Sequence, residues 1–197
     1  AQGACASRPG MAWTSIVGRR LDRPVVNLGF SGNGKLEKEV LNYVNQVEAA
    51  VYVLDCMPNM YPGDDPENLL VAAVEQIRAR HPRTPVLITE HDGYTNEYTN
   101  QEKQEAYQGV NRAARRAFER LTQAGVPDLY YLSHEEIGMN MEAMVDGVHS
   151  TDWGMVLYAG AYEKALRRIL QEPEGPYKTM RPVRQRREAG GYEWNAR

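Results

Sequence analysis

Long apolar runs, a strong net charge and cysteine are all scarce in this sequence. The longest apolar runs, such as residues 49–54, are far too short to cross a bilayer, so no membrane span is expected. With 23 basic and 26 acidic residues the net charge is −3, and the one basic cluster lies in the C-terminal tail. Nucleic acid and membrane are therefore not expected partners, because phosphate-backbone binding needs clustered lysine and arginine. Two cysteines permit one disulfide and do not identify the redox compartment.

The chain also shows no internal repeat, no low-complexity tract and no signal peptide within its sequence. Its 197 residues, 42% of them hydrophobic, are enough for one domain with a full core. We place that domain at residues 1–170. Residues 171–197 are rich in proline, glycine and arginine, which is typical of a linker or of the lead-in to a further module of the same polypeptide.

Within residues 1–170, helical and strand patterns alternate along the chain. Apolar residues at helical spacing predict helices at 11–21, 36–47, 66–81, 101–124 and 152–170. Short apolar runs predict buried strands at 24–28, 50–54, 86–89 and 129–132. This alternation predicts an α/β fold whose parallel sheet is covered by helices on both faces. Ligands of such sheets bind beyond the carboxyl ends of the strands, at the loops 29–35, 55–60, 90–96 and the one leading to His149.

The last of these loops reads Asp146-Gly147-Val148-His149 and stands directly before the last predicted helix. A carboxylate three residues before an imidazole can accept the Nδ1 proton of His149. Nε2 is then free to act as a general base toward an alcohol or water. The same tetrapeptide also suits a plain helix-capping turn, so the spacing alone leaves both interpretations open.

The loop after the first predicted strand admits two other functions. Residues 29–35 fit the phosphate-cradling pattern of a glycine, four residues and then Gly-Lys, with Asp55 as the magnesium-holding partner. However, Leu36 stands where that pattern has the hydroxyl that binds magnesium. The same loop places Ser31 at a strand-to-helix turn, as in a nucleophile elbow, but the second outer glycine of that motif is missing. A P-loop-like nucleotide-binding protein and a Ser31-dependent hydrolase remain as alternatives.

Three loops together resemble sequence blocks of the SGNH hydrolases, also called GDSL-type esterases. These blocks are residues 27–32 (NLGFSG), 55–59 (DCMPN) and 146–149 (DGVH), in the family's order. The resemblance implies a three-layer α/β/α sandwich of the flavodoxin-like SGNH type. It also implies a serine esterase that acts on small acyl or acetyl esters, with esters of carbohydrate among the candidates. In that enzyme the Gly32 N–H and the Asn59 amide would bind an oxyanion, with His149 as base and Asp146 as its orienting partner.

These residue types suit acyl transfer, which develops negative charge on a carbonyl oxygen. Fixed hydrogen-bond donors aimed at that oxygen are worth about 3 kcal/mol each. Glycine at position 32 allows the backbone to approach a substrate closely, and Asn59 donates without adding a charge. Taken singly, each of the two residues also fits a simple turn.

The family's nucleophilic serine matches no position of this chain. It precedes a Gln-Gly pair like Gln2-Gly3, so the resemblance implies that the nucleophile and the first strand lie upstream of Ala1. Ser7 is a weaker candidate, because a serine among small residues before Arg-Pro-Gly suits a loop or cap. We accordingly expect residues 1–197 by themselves to fold poorly and to lack esterase activity.

The position of the implied first strand also determines whether the two cysteines can form a disulfide. If it lies beside the strand that ends at Leu54, Cys5 and Cys56 come within bridging range of each other. Two buried free thiols are nevertheless the expected state.

Four further residues are expected near the substrate. His91 and Asp92 follow the third predicted strand and should contact substrate or shape the entrance, with Tyr61 and Trp153 nearby.

We expect no metal and no cofactor. The family resemblance implies a secreted or periplasmic protein. The alternative from another class is a non-catalytic binding or structural domain that keeps the SGNH fold.

Overall fold

The computed structural model describes residue 3 and residues 5–173. The strands of this part of the chain are β1 (Tyr52–Leu54), β2 (Val86–Thr89) and β3 (Leu129–Leu132). The α-helices are α1 (Trp13–Leu21), α2 (Lys38–Val44), α3 (Pro66–Arg80), α4 (Gln101–Gln123), α5 (His134–Ile137) and α6 (Asp152–Leu170). Short 3-10 helices lie at Met57–Asn59, Pro62–Asp64, Glu97–Thr99 and Met141–Ala143.

The three strands form one parallel sheet in the order β1-β2-β3. Val86 of β2 stands in register with Tyr52 of β1 and with Leu129 of β3. Successive side chains point to opposite faces of a strand, and both faces of this sheet are buried. Continuous apolar runs such as VLIT in β2 follow from that double burial, which confirms the predicted parallel sheet.

Helices cover the sheet on both faces. One hydrophobic core joins Val86 and Ile88 to the apolar sides of α2, α3 and α4. The other joins Leu87 and Leu132 to α1 and α6, where the Trp13 ring lies 4.0 Å from the Tyr162 ring. The molecule is therefore the three-layer α/β/α sandwich that the sequence predicted.

The strand predicted at residues 24–28 is the one wrong element. Among the described residues this segment joins no ladder, and its apolar side chains are exposed, Val26 at 64% and Leu28 at 46%. An apolar groove of about 520 Å³ separates the segment from β1, whose outer edge is unpaired within the described part of the sheet. The backbone is extended as predicted, but a ladder needs a neighbouring strand about 4.8 Å away, and the groove occupies that place.

Other expectations have mixed outcomes. Helix α2 ends at Val44, short of the predicted residue 47, because the N–H groups of Gln46 and Val47 bond to carbonyls three residues back instead of four. Cys5 and Cys56 are free thiols, as expected, but Cys5 is exposed rather than buried because its segment lies on the surface. No helix in residues 5–173 combines the length and apolarity needed to cross a membrane. Of the predicted linker at 171–197, all beyond residue 173 lies outside the described residues.

Candidate functional site

Asp146 and His149 form a hydrogen-bonded pair at the rim of the fold. The His149 Nδ1 lies 2.7 Å from Asp146 Oδ2, and the other carboxylate oxygen accepts the backbone N–H groups of Val148 and His149 at 2.9 and 2.8 Å. A carboxylate only accepts, so Nδ1 carries the shared proton, and in the neutral imidazole Nε2 then has the lone pair. The hydrogen bond from His149, followed by the two backbone donors, lowers the pKa of Asp146 and keeps it ionised. The pair has the geometry of a general base with its orienting carboxylate.

The start of α6 fixes the chain that follows His149. Thr151 caps the helix by accepting the Gly154 N–H, and its own N–H donates to the Ala143 carbonyl at 2.8 Å. Gly154 is packed so closely that a Cβ there would lie 2.1 Å from the Ala143 carbonyl oxygen. His149 therefore sits two residues from a tightly fixed helix end.

The proposed oxyanion donors Gly32 and Asn59 lie in two loops that one hydrogen bond joins. The Asn59 side chain donates to the Gly34 carbonyl at 3.1 Å, which ties the 55–59 block to the loop that follows the 27–32 block. An amide nitrogen carries two hydrogens, so a second donor remains on Asn59. Gly32 adopts a positive φ of 85° and faces open space, since a Cβ there would meet nothing within 4 Å. Among the described residues, nothing accepts the Gly32 N–H.

Lys35 of the phosphate-loop alternative is linked to Tyr61 through Asp64, whereas Trp153 lies on α6. Tyr61 and Trp153 are more than half exposed. Lys35 forms an ion pair of 3.0 Å with Asp64, whose carboxylate also accepts the Tyr61 N–H. The Lys35 charge is thus already compensated, which is unlike a phosphate-binding lysine. Residues 5–173 hold no cluster of three His, Cys, Asp or Glu side chains that could bind a metal ion.

His91 and Asp92 come at the end of β2 and are both buried. The Gly93 N–H donates to His91 Nδ1 at 2.9 Å, and burial lowers the pKa of His91 to about 3, so the ring is neutral. Burial, reinforced by the charge of Asp55, raises the pKa of Asp92 to about 8. In the described structure these two side chains lie beneath the rim rather than on it.

The sequence and fold comparisons agree with this geometry. The model of the GDSL-like Lipase/Acylhydrolase family matches residues 1–167. The chain belongs to this family. The comparison with curated proteins gives no significant match.

Solved structures show the same family fold. A protein from Bacteroides ovatus classed as a GDSL-like lipase shares 34% identity with a TM-score of 0.79, covering 84% of this chain and 49% of that one. The salicylyl-acyltransferase SsfX3 of a tetracycline biosynthetic pathway shares 19% identity with a TM-score of 0.70, covering 85% and 51%. A Clostridium thermocellum family 3 carbohydrate esterase shares 18% with a TM-score of 0.51, covering 68% and 63%. The chain thus spans about half the length of the first two structures.

The family fold here contains a buried polar layer that sequence analysis missed. Asp55 at the end of β1 lies beside Thr89, and its pKa is raised to about 6 by burial, against smaller lowering effects of Tyr162 and Thr89. Asp55 Oδ2 and the Tyr162 hydroxyl are buried and have no hydrogen-bond partner of normal geometry among the described residues. Asp55 also lines the groove beside β1. A polar residue directly after an apolar strand was the only signal of this layer in the sequence.

The two serines considered as nucleophiles have separate surroundings. Both the N–H and the hydroxyl of Ser7 donate to Asp152, the first residue of α6. Ser31 lies in the exposed loop with a positive φ of 49°. The contact of Ser7 places the chain before α1 at the carboxyl edge of the sheet, on the side of His149.

Proposed function

We propose that the whole protein hydrolyses small acyl esters, with acetyl groups on carbohydrate as the favoured substrate class. The observation that supports this most strongly is the His149 imidazole, whose Nδ1 is engaged by Asp146 at 2.7 Å while Nε2 stays available. An acylhydrolase needs such a base, and family membership supplies the reaction class.

The nucleophile in this proposal is a serine on a strand that precedes residue 1 and fills the groove beside β1. The groove supports the proposal because its walls are apolar and β1 offers it an unpaired edge. The position of Ser7 against Asp152 supports it as well, because a parallel strand in the groove would end at that same edge of the sheet.

The proposed reaction has two halves. His149 Nε2 removes the serine proton as the oxygen attacks the ester carbonyl, and the Gly32 N–H and the Asn59 amide stabilise the resulting oxyanion. The C–O bond to the alcohol then breaks, and the alcohol leaves with the proton from His149. Water, activated by the same base, cleaves the acyl-enzyme and regenerates the serine.

Substrate recognition belongs to the same proposal. Tyr61 and Trp153 are exposed and would contact the alcohol part, whereas His91 and Asp92 would shape the entrance from below. The secreted or periplasmic location that the family resemblance implies is also proposed, and fractionation of the native host tests it.

Replacement of Asn59 tests the proposed function. Asn59→Ala should lower kcat for a chromogenic acetyl ester by about 10²–10³, because it removes one oxyanion donor. Asn68→Ala is the control, since Asn68 is exposed on α3 and contacts Arg120 and Asp65. Absence of turnover in the intact, folded protein across acetyl, butyryl and acetylated-carbohydrate substrates would instead support the non-catalytic alternative.

A further inference from the structure

The loop of Asp146 and His149 is exposed but touches one neighbouring loop. About half of each of these two side chains is exposed to solvent. In the part of the chain that the structure describes, one backbone hydrogen bond ties residues 146–149 to a distant element, from the Thr95 N–H to the Gly147 carbonyl at 3.1 Å. The loop's own bonds, among them that from the Val145 N–H to the His149 carbonyl at 2.7 Å, set its shape, and residue 147 is where a neighbouring loop contacts it.

Asn96 lies directly against Gly147. A Cβ at Gly147 would stand 2.9 Å from Cγ, 3.0 Å from Nδ2 and 3.1 Å from Oδ1 of Asn96. These nearly equal distances mean that the flat face of the amide covers the glycine. Asn96 Oδ1 is buried and makes no hydrogen bond among the described residues, so the amide is placed there by packing. Gly147 has a φ of 85°, which keeps this contact close.

The loop that presents Asn96 is itself anchored to the core. The Asn111 side chain of α4 bonds both backbone groups of His91, at 2.7 and 3.0 Å. The Tyr94 ring packs on the rings of His91 and Tyr107, at 4.7 and 6.0 Å, and the Tyr107 hydroxyl donates to Glu97. A rigid support thus stands on one side of an exposed catalytic loop.

We propose that Asn96 is a positioning residue that orients His149 by packing its amide on Gly147. This inference rests on the proposed function for its kinetic consequence, but not for its structural one. Without the amide, Gly147 loses this contact, the loop moves more freely, and the Asp146–His149 hydrogen bond is made for a smaller share of the time. A displacement of about 1 Å at a catalytic group can cost about 10²-fold in rate.

The direct test is the tautomer of the His149 imidazole, read by ¹⁵N NMR in the intact protein. The wild-type protein should show the Nδ1–H tautomer, and Asn96→Ala should shift part of the population to Nε2–H with an unchanged melting temperature. In an active enzyme, kcat should fall by about 10–100-fold while KM changes less than two-fold. An unchanged tautomer population in Asn96→Ala would overturn the proposal, whatever the activity.

A second variant tests the contact from the other side. Gly147→Ala should shift the tautomer in the same way, because its Cβ displaces the amide. Gly125→Ala is the matched control, since Gly125 also has a positive φ, of 76°, but open space around a Cβ. If Gly147→Ala leaves the tautomer unchanged, or if Gly125→Ala changes it equally, the Asn96 contact is not the cause. The NMR result stands even if the protein proves to have no esterase activity, so the two proposals fail separately.

Discussion

The pKa values of two aspartates in this protein are shifted in opposite directions by their surroundings. Asp146 is exposed and accepts three hydrogen bonds, which lower its pKa. Asp92 is buried, which raises its pKa to about 8, with Asp55 adding to the effect. The first carboxylate is therefore ionised when it orients His149, whereas the second is largely protonated at neutral pH. Both states follow from hydrogen bonding and desolvation.

Asp92→Asn should remove a pH dependence of stability. A pKa that is higher in the folded state than in the unfolded state gives stability that is complete below about pH 4 and is lost as pH rises through about 8. Each pKa unit corresponds to about 1.4 kcal/mol of unfolding free energy. Urea unfolding at pH 5 and pH 9 should show the wild-type protein weaker at pH 9, and a much smaller difference for Asp92→Asn.

The control for this prediction is Asp65→Asn, at an exposed position that asparagine also tolerates. This variant should keep the wild-type pH dependence. An equal change in stability between pH 5 and pH 9 for the wild-type protein and for Asp92→Asn would show that the pKa of Asp92 is not raised.

At the scale of single residues, the sequence predicted the contact between Asp146 and His149 but not the burial of His91 and Asp92. Asp146 and His149 are three residues apart, so one turn brings them together and the pattern was sufficient. The role of His91 and Asp92 in shaping the entrance stays a prediction, but their burial involves α4, whose Asn111 bonds the His91 backbone from 20 residues away. No local pattern contains that information.

At the scale of elements, the strands at 86–89 and 129–132 were predicted residue for residue. Both are runs of apolar and aromatic residues that are paired in the sheet. Residues 24–28 (PVVNL) are also mostly apolar but have no ladder partner among the described residues, so they remain extended and exposed. Strand propensity reports the fit of side chains to a sheet, and the presence of a neighbour is a separate condition.

Two glycines of α6 should respond oppositely to alanine. Gly154→Ala places a Cβ 2.1 Å from the Ala143 carbonyl, and the forced displacement should destabilise the protein by about 1–3 kcal/mol. Gly160→Ala meets nothing within 4 Å and should stabilise the same helix by about 0.5–1 kcal/mol. The melting temperatures of both variants, measured by thermal unfolding, test these two predictions. Equal melting temperatures would mean that α6 does not begin as tightly against Ala143 as described.

At the scale of the whole molecule, amide exchange tests whether a strand fills the groove beside β1. The Tyr52 N–H donates to the Pro85 carbonyl, so the next N–H along β1, that of Val53, points toward the groove. If a strand fills the groove in the whole protein, the Val53 amide should exchange about as slowly as that of Tyr52, which serves as the internal reference. Fast exchange at Val53 in a folded and active protein would contradict the proposed strand.

The central claim is that His149 is the general base of an ester hydrolase, and its replacement in the intact protein tests this most directly. We would measure kcat/KM on a chromogenic acetyl ester for the wild-type protein and for His149→Ala, with the melting temperature of both. His149 is about half exposed, so the variant should keep its melting temperature. Its kcat/KM should fall by several orders of magnitude. A folded His149→Ala protein with wild-type kcat/KM would contradict the account.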